Sequence, residues 1–113
     1  MALSKIQDEM LALSGNACKA WVNFNGTGTV AIRDSYNVSS ITDNGVGDYT
    51  VNFTKDMSDV NYTAAGMGGG AASINYALSP ITLAVDSFRC LLQSSNSGAD
   101  VDSANIHVII FGN

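Results

Sequence analysis

Residues 41–53 have the sequence ITDNGVGDYTVNF, in which two segments of alternating polarity flank an Asn-Gly pair and a further glycine. Tyr49, Val51 and Phe53 recur at every second position, which is the period of a strand with one buried face. An Asn-Gly pair between two such segments is a strong hairpin signal, because tight turns need backbone angles that glycine adopts at low cost. The stretch therefore predicts a hairpin with its loop at residues 43–47, and it contains no catalytic motif.

The same two-residue period extends through most of the chain. From Cys18 onward it places Val22 and Phe24 on the face opposite Trp21, so we expect Val22, Phe24, Val51 and Phe53 in the core. Other alternating segments lie between turn residues, at 29–33, 38–42, 60–66, 72–78, 81–92 and 105–111. Pro80 is expected to separate the sixth strand from the seventh, and the last strand, apolar on both faces, to be central or at a subunit contact.

About eight short strands with regular turn signals are typical of a sandwich or a closed antiparallel barrel. We expect an all-β fold, an antiparallel β-sandwich or jelly-roll-like domain, over residues 16–113. A chain of 113 residues fits one such domain, because a second core would be too small to bury its apolar surface.

Residues 1–15 have a different period. Apolar residues at intervals of three and four give the a/d spacing of a coiled-coil seam, and a short amphipathic helix is expected there; the seam residues are Leu3, Ile6, Met10 and Leu13. An isolated helix of this length is only marginally stable in water, so it needs a surface to pack against. Two arrangements fit: a parallel bundle of several chains, or one helix lying on its own β domain.

Composition excludes several classes of function. Charged residues make up 13% of the chain, and its net charge of −5 includes only five Lys and Arg, which do not cluster in the sequence. Nucleic-acid binding needs a basic face, so it is not expected. No apolar run approaches the roughly 20 residues of a spanning helix, and the N-terminus lacks a secretory pattern, so we expect no membrane insertion and synthesis in a cytoplasm. A surface so poor in charge suggests that part of it is covered by another subunit.

Candidate catalytic and metal sites are weak. The glycine run from Gly66 lacks the Lys-Ser/Thr pair of a phosphate loop, and residues 100–105 lack the glycine and glutamate of a calcium loop. His107, the one histidine, lies in an apolar strand where a packed imidazole is the simpler interpretation. Cys18 and Cys90 would pair only if their strands lie side by side, and two buried reduced thiols are favoured. We expect no enzymatic activity, metal or cofactor.

Two loops are the best candidates for binding. One presents backbone and the other is dense in Ser, Asn and Asp groups that can bond sugar hydroxyls. For either loop, a plain solvated connection is an equally simple interpretation. The candidate residues are Gly66, Met67, Gly68, Gly69, Gly70, Ser95, Asn96, Ser97, Asp100 and Asp102.

Two segments carry a family resemblance: CKAWVNFNGTGTVAIR at residues 18–33 and YNVSSITDNGVGDYTVNFT at residues 36–54. They closely resemble a module found near the C-terminus of bacteriophage tail-fibre and related virion proteins, with a looser likeness to Asn113. The resemblance implies a β-structured, homotrimeric distal domain that projects from the virion and contacts the host surface. The expected partners are other virion proteins and, from the composition of the loops, a host cell-surface saccharide. The resemblance brings no catalytic motif.

The resemblance gives the expected function and its alternatives. The leading expectation is a trimeric tail-fibre distal domain with host-receptor binding, made in the host cytoplasm and located in the virion. The second is a capsid or tail decoration protein without an adhesion role, and the third a carbohydrate-active enzyme. Trp21 and Phe111 are expected at subunit contacts together with the N-terminal seam, because a large aromatic residue opposite the core face needs a covering surface.

Overall fold

The computed structural model describes residues 17–69 and 76–112, which form eight β-strands. In chain order they are β1 (Cys18–Asn25), β2 (Ala31–Tyr36), β3 (Val38–Gly45), β4 (Asp48–Phe53), β5 (Thr63–Gly68), β6 (Tyr76–Leu83), β7 (Ser87–Ser94) and β8 (Ile106–Phe111). Within these two ranges no helix is long and apolar enough to cross a membrane. The helix expected at residues 1–15 lies outside the described residues.

All eight strands belong to one antiparallel sheet with the order β2-β1-β8-β5-β6-β7-β4-β3. The all-β prediction is confirmed. In the described residues, however, the strands form one continuous, nearly closed, barrel-like sheet instead of the two packed sheets expected for a sandwich or jelly roll. β8 is hydrogen-bonded to β1 on one side and to β5 on the other, which confirms the prediction that the last strand is central.

The two edge strands of the sheet, β2 and β3, are joined by one residue, Asn37. Its φ of 56° is left-handed, a conformation that asparagine tolerates better than most residues. The side-chain Nδ2 donates hydrogen bonds to the carbonyl oxygens of Lys19 and Lys55, each at 3.1 Å. Oδ1 accepts one from the Lys55 amide at 2.7 Å, and the Asn37 carbonyl accepts one from the Thr54 amide at 3.2 Å. Asn37 thus ties β1 to the segment after β4 and brings the edges together.

Strand alternation fills the barrel with apolar side chains. The four predicted core residues are confirmed, with Phe24 and Val51 fully buried and Val22 and Phe53 nearly so. The rings of Phe24 and Tyr49 meet edge to face, with centroids 5.3 Å apart, which is a favoured aromatic geometry. The buried cluster consists of Ala20, Val22, Phe24, Val38, Tyr49, Val51, Phe53, Met57, Tyr62, Phe88, Cys90, Leu92, Ile106, Val108 and Ile110.

Strand boundaries differ from the expected ones at several places. β3 continues through Gly45, so the hairpin connection to β4 is only residues 46–47. Pro80 does not end a strand but lies inside β6, and the break comes after Leu83. Beyond Ala77 this strand pairs with β7 alone, and the register shifts between Pro80 and Thr82. Proline is tolerated at such edges and bulges because its missing N–H breaks no ladder bond there.

Three ionisable groups lie in the core. Burial raises the pKa of Tyr62 to about 12. Burial also raises the pKa of the Cys90 thiol to about 12, with a smaller contribution from the Asp48 charge. The pKa of Tyr49 lies well above its ordinary value, first because of burial and then because its hydroxyl donates to Asp102.

These shifts predict loss of stability in alkali. The unfolded chain releases these protons near the ordinary values of 9.0 for Cys and 10.0 for Tyr, whereas the folded chain retains them. The free energy of unfolding should be constant below about pH 9 and then fall by up to about 1.4 kcal/mol per pH unit for each such proton. Urea denaturation from pH 8 to 11 measures it. Tyr62→Phe should have a shallower slope, and a wild-type curve that is flat to pH 11 would contradict the account.

Candidate functional site

Alternation along β1, β5 and β8 directs large apolar side chains outward. Ile109 and Phe111 alternate with the buried residues of β8, and each is 44% exposed. Met67 of β5 is 63% exposed, and Ile109 lies opposite Ala65 of β5 and Trp21 of β1. Directly opposed residues in antiparallel strands share a face and touch. We call these five residues, Trp21, Ala65, Met67, Ile109 and Phe111, the outer apolar face.

A shallow groove of about 460 Å³ runs along this face between β5 and β8, and its lining includes Met67, Ile109, Phe111 and His107. His107 is exposed, so the interpretation of its imidazole as packed in the core is wrong. The strand period explains the difference: His107 occupies the outward position between two buried residues, Ile106 and Val108. The groove is thus mainly apolar and offers one ionisable side chain.

The opposite part of the outer surface, on β3, β4 and β7, is polar. Arg89 and Asp48 form a bidentate ion pair, with Nη2–Oδ2 at 2.7 Å and Nε–Oδ1 at 3.0 Å. Hydrogen bonds from Arg89 hold the pKa of Asp48 below its ordinary value. The Asn52 amide donates to Thr42 and Ser40 across the strands. This polar half suits contact with water, whereas the outer apolar face does not.

The residues predicted at subunit contacts are only partly described. Trp21 and Phe111 both belong to the outer apolar face, so the fold brings them to one surface. Trp21 is half-buried by its own neighbours, Tyr36 of β2 and Ile109 of β8. The seam residues Leu3, Ile6, Met10 and Leu13 lie outside the described residues. The contact itself stays a prediction.

The glycine-rich binding candidate is mostly a strand. Gly66, Met67 and Gly68 belong to β5, only Gly69 follows it, and Gly70 lies outside the described residues. A Cβ atom on Gly68 would lie 2.8 Å from the Leu92 side chain, and one on Gly66 would collide with the carbonyl oxygen of His107. Glycine is therefore required at 66 and 68 by close packing inside the barrel. Met67 points outward into the groove.

All five residues of the second binding candidate are exposed, but one of them also supports the fold. Ser95, Asn96, Ser97 and Asp100 lie in the connection that follows β7. Asp102 is bonded to the barrel: its Oδ1 accepts hydrogen bonds from the Gly47 amide at 2.9 Å and the Tyr49 hydroxyl at 2.6 Å.

Both candidate loops begin at the same end of the barrel. The Gly69 amide donates to the Asn105 carbonyl at 2.8 Å, and the Ser103 hydroxyl donates to the Gly69 carbonyl. The start of β1 lies at the other end, where Cys18 pairs with Phe111. Because β1 has eight residues, the loops lie roughly 25 Å from the point where the chain enters the barrel.

A cleft at the entry end was not foreseen from the sequence. It has a volume of about 550 Å³ and lies between Tyr36, Asn37, the start of β1 and residues 54–58. Lys19 and Lys55 both line it, although they are far apart in the chain. The Lys and Arg residues do not cluster in the sequence, because Lys19 and Lys55 come together only through the closure of the sheet at Asn37. The sequence contained one signal of this closure, which is Asn37 between two predicted strands.

The cysteines and carboxylates provide no further site in the described residues. Cys18 and Cys90 are both free, and their strands β1 and β7 are not neighbours in the sheet. Across residues 17–69 and 76–112, no three His, Cys, Asp or Glu side chains are grouped as metal ligands.

No protein-family model matches this chain, and no curated protein or solved structure shows significant similarity to it. The functional arguments that follow from the structure therefore depend on the geometry of the described residues.

The structural role of Asp102 can be tested against its exposed neighbour Asp100. Asp102→Ala should lower the free energy of unfolding by about 2–3 kcal/mol, because it leaves the buried Tyr49 hydroxyl with fewer partners. Asp102→Asn retains an acceptor oxygen and should lose less. Asp100→Ala, which removes only an exposed contact with Gln93, should change stability by less than about 0.5 kcal/mol. Equal effects of the two alanine variants in urea denaturation would contradict this division.

Proposed function

We propose that this chain is a homotrimeric structural protein of a bacteriophage virion, the distal domain of a tail fibre, which assembles with other virion proteins and binds the host surface. The observation that carries the proposal is the division of the outer surface into a polar half and the outer apolar face. The resemblance of residues 18–54 to virion modules supplies the biological setting. The proposed location is the virion, after assembly in the host cytoplasm.

The size of the outer apolar face supports self-association. Ile109 and Phe111 are 44% exposed and Met67 is 63% exposed, which corresponds to an apolar patch on the order of 300 Å² before Trp21 is added. One partner of a standard interface buries about 800 Å², with an apolar centre and a polar rim. The face has a suitable size for such a centre. Covering it would remove from water the most exposed apolar side chains of β5 and β8.

The position of residues 1–15 suits self-association, and the number of three chains comes from the family resemblance. If they form the expected helix, their seam of Leu3, Ile6, Met10 and Leu13 would join three chains in a parallel bundle. That segment leads directly into β1, which contributes Trp21 to the outer apolar face and begins opposite Phe111. A bundle at this end would hold three copies with their apolar faces around one axis.

The binding candidates would lie far from such a bundle. The connections after β5 and β7 begin at the opposite end of the barrel, so in a fibre they would point away from the particle. Three copies of a weak saccharide contact would act together through effective concentration. Ser95, Asn96, Ser97 and Asp100 are the exposed side chains that we propose for this contact.

We propose no enzymatic activity. Glycoside hydrolysis normally needs two carboxyl groups that face one substrate. Among the described residues, the groove on β5 and β8 is lined by none, and the cleft at the entry end is lined by Asp56 alone.

Trimer formation can be tested by placing charge on the outer apolar face. Wild-type protein should sediment at three times the 11.8 kDa chain mass at micromolar concentration. Ile109→Lys and Phe111→Lys should weaken assembly at least tenfold, because each would bury an unpaired ammonium group. Ser40→Lys, on the polar half, is the matched control. A wild-type monomer, or face variants that assemble as well as the control while keeping their β-type circular dichroism, would contradict the proposal.

The place of the chain in the virion separates the fibre from the decoration protein. Gold-labelled antibody against the chain should bind the distal ends of tail fibres on particles that carry its gene. Label spread over the capsid or tail surface would instead support the decoration role and remove the adhesion role. Particles without label, although the antibody binds the purified chain, would rule out a virion protein.

A further inference from the structure

We propose that the cleft at the entry end of the barrel binds an anionic saccharide, a sugar that carries a carboxylate, sulfate or phosphate group. This site is separate from the loops considered above and lies within a single protomer. The inference requires neither the trimer nor the virion location.

The first argument is the state of the cations in the described residues. Arg89 is paired with Asp48, and Arg33 donates to the Asn23 side chain and the Ala104 carbonyl. Within residues 17–69 and 76–112, the ammonium groups of Lys19 and Lys55 have no hydrogen bond or ion pair, and both line this one cleft. In a chain with a net charge of −5, two uncommitted cations in one cleft, against the single carboxylate of Asp56 in its lining, form a local site for an anion.

The second argument is that the fold holds these two lysines close together. Their carbonyl oxygens each lie 3.1 Å from the same Nδ2 atom of Asn37, so the two oxygens are at most 6.2 Å apart. This fixes the backbone positions from which both side chains reach the cleft, and an anion there would be attracted by both ammonium groups. Asn37 thus orders the two backbone positions before any ligand binds, which reduces the ordering that binding requires.

The third argument concerns the rest of the lining, which suits a sugar better than a bare anion. The Tyr36 side chain is 56% exposed and forms an aromatic wall on which the apolar face of a sugar ring can pack. Thr54 and Ser58 add hydroxyl groups, and Asp56 provides an acceptor for sugar hydroxyls. The volume of about 550 Å³ lies within the range of small-ligand pockets.

The test titrates full-length protein with defined probes and follows amide shifts by NMR. The probes are N-acetylneuraminic acid, glucose 6-phosphate and a sulfated heparin disaccharide, which distinguish the three acid groups. N-acetylglucosamine, sodium sulfate and an aspartate hexapeptide provide the neutral sugar, the bare anion and the acidic peptide. At least one acidic sugar should bind with a Kd of about 1 mM, shift amides near Tyr36 and Lys55, and weaken as salt rises.

Substitutions locate the site. Lys19→Gln and Lys55→Gln should each weaken binding of the acidic sugar at least fivefold. Arg33→Gln removes the same charge outside the cleft, beside Asn23 and Ala104, and should leave binding unchanged. Tyr36→Ala should abolish the preference for the acidic sugar over sulfate. Asn37→Gly accepts the left-handed backbone but removes the tie between the lysines, so it should also weaken binding. The monomeric Ile109→Lys variant should bind as wild type does, which keeps this test independent of the trimer.

Several outcomes would overturn the proposal. Sulfate that binds as tightly as every acidic sugar would reduce the cleft to a basic patch, and tighter binding of the aspartate peptide would replace the sugar with a protein partner. Equal losses in Arg33→Gln and the cleft variants would show a general charge effect. Absence of shifts with all three acidic sugars at 20-fold the expected Kd would refute the site.

Discussion

The closure of the sheet at Asn37 is the constraint on which the rest of the structure depends. A single-residue connection between the two edge strands requires a left-handed backbone and a side chain that can satisfy groups on both sides. Asn37 meets both needs through its φ of 56° and its bonds to Lys19 and Lys55. Because this corner fixes the edges, every strand keeps one face toward a common core and the other toward the outside.

That inside-outside division makes the outer surface informative about function. A nearly closed sheet buries its apolar residues within, so apolar side chains on the outside have no structural partner in the described protomer. One group of them lies together on β1, β5 and β8, whereas others, such as Val46 and Ile81, are exposed elsewhere. The ion pair and the amide ladder lie on β3, β4 and β7. The proposed self-association would cover the apolar part of this surface and leave the polar part in water.

The sequence predicts local features well here and long-range ones poorly. The period of two identified Val22, Phe24, Val51 and Phe53 as core residues because alternation is a local property of strands. It did not distinguish one curved sheet from two packed sheets, since both bury alternate residues. Pro80 was wrongly expected to end a strand. A strand tolerates proline where no neighbouring strand needs its N–H, and the sequence does not show that the pairing of β5 with β6 ends at Ala77. The lysine cleft could not be predicted, because residues distant in the chain meet there only through the closure at Asn37.

The accessibility of Trp21, the one tryptophan of the chain, tests most directly whether the outer apolar face is a subunit contact. Acrylamide quenching of its fluorescence should be measured from nanomolar to high micromolar protein, with circular dichroism and sedimentation at the same concentrations. We predict that the quenching constant falls several-fold as trimers form, while the circular dichroism stays constant. Quenching that is unchanged between folded monomer and trimer would contradict the account, because Trp21 would then face solvent in both.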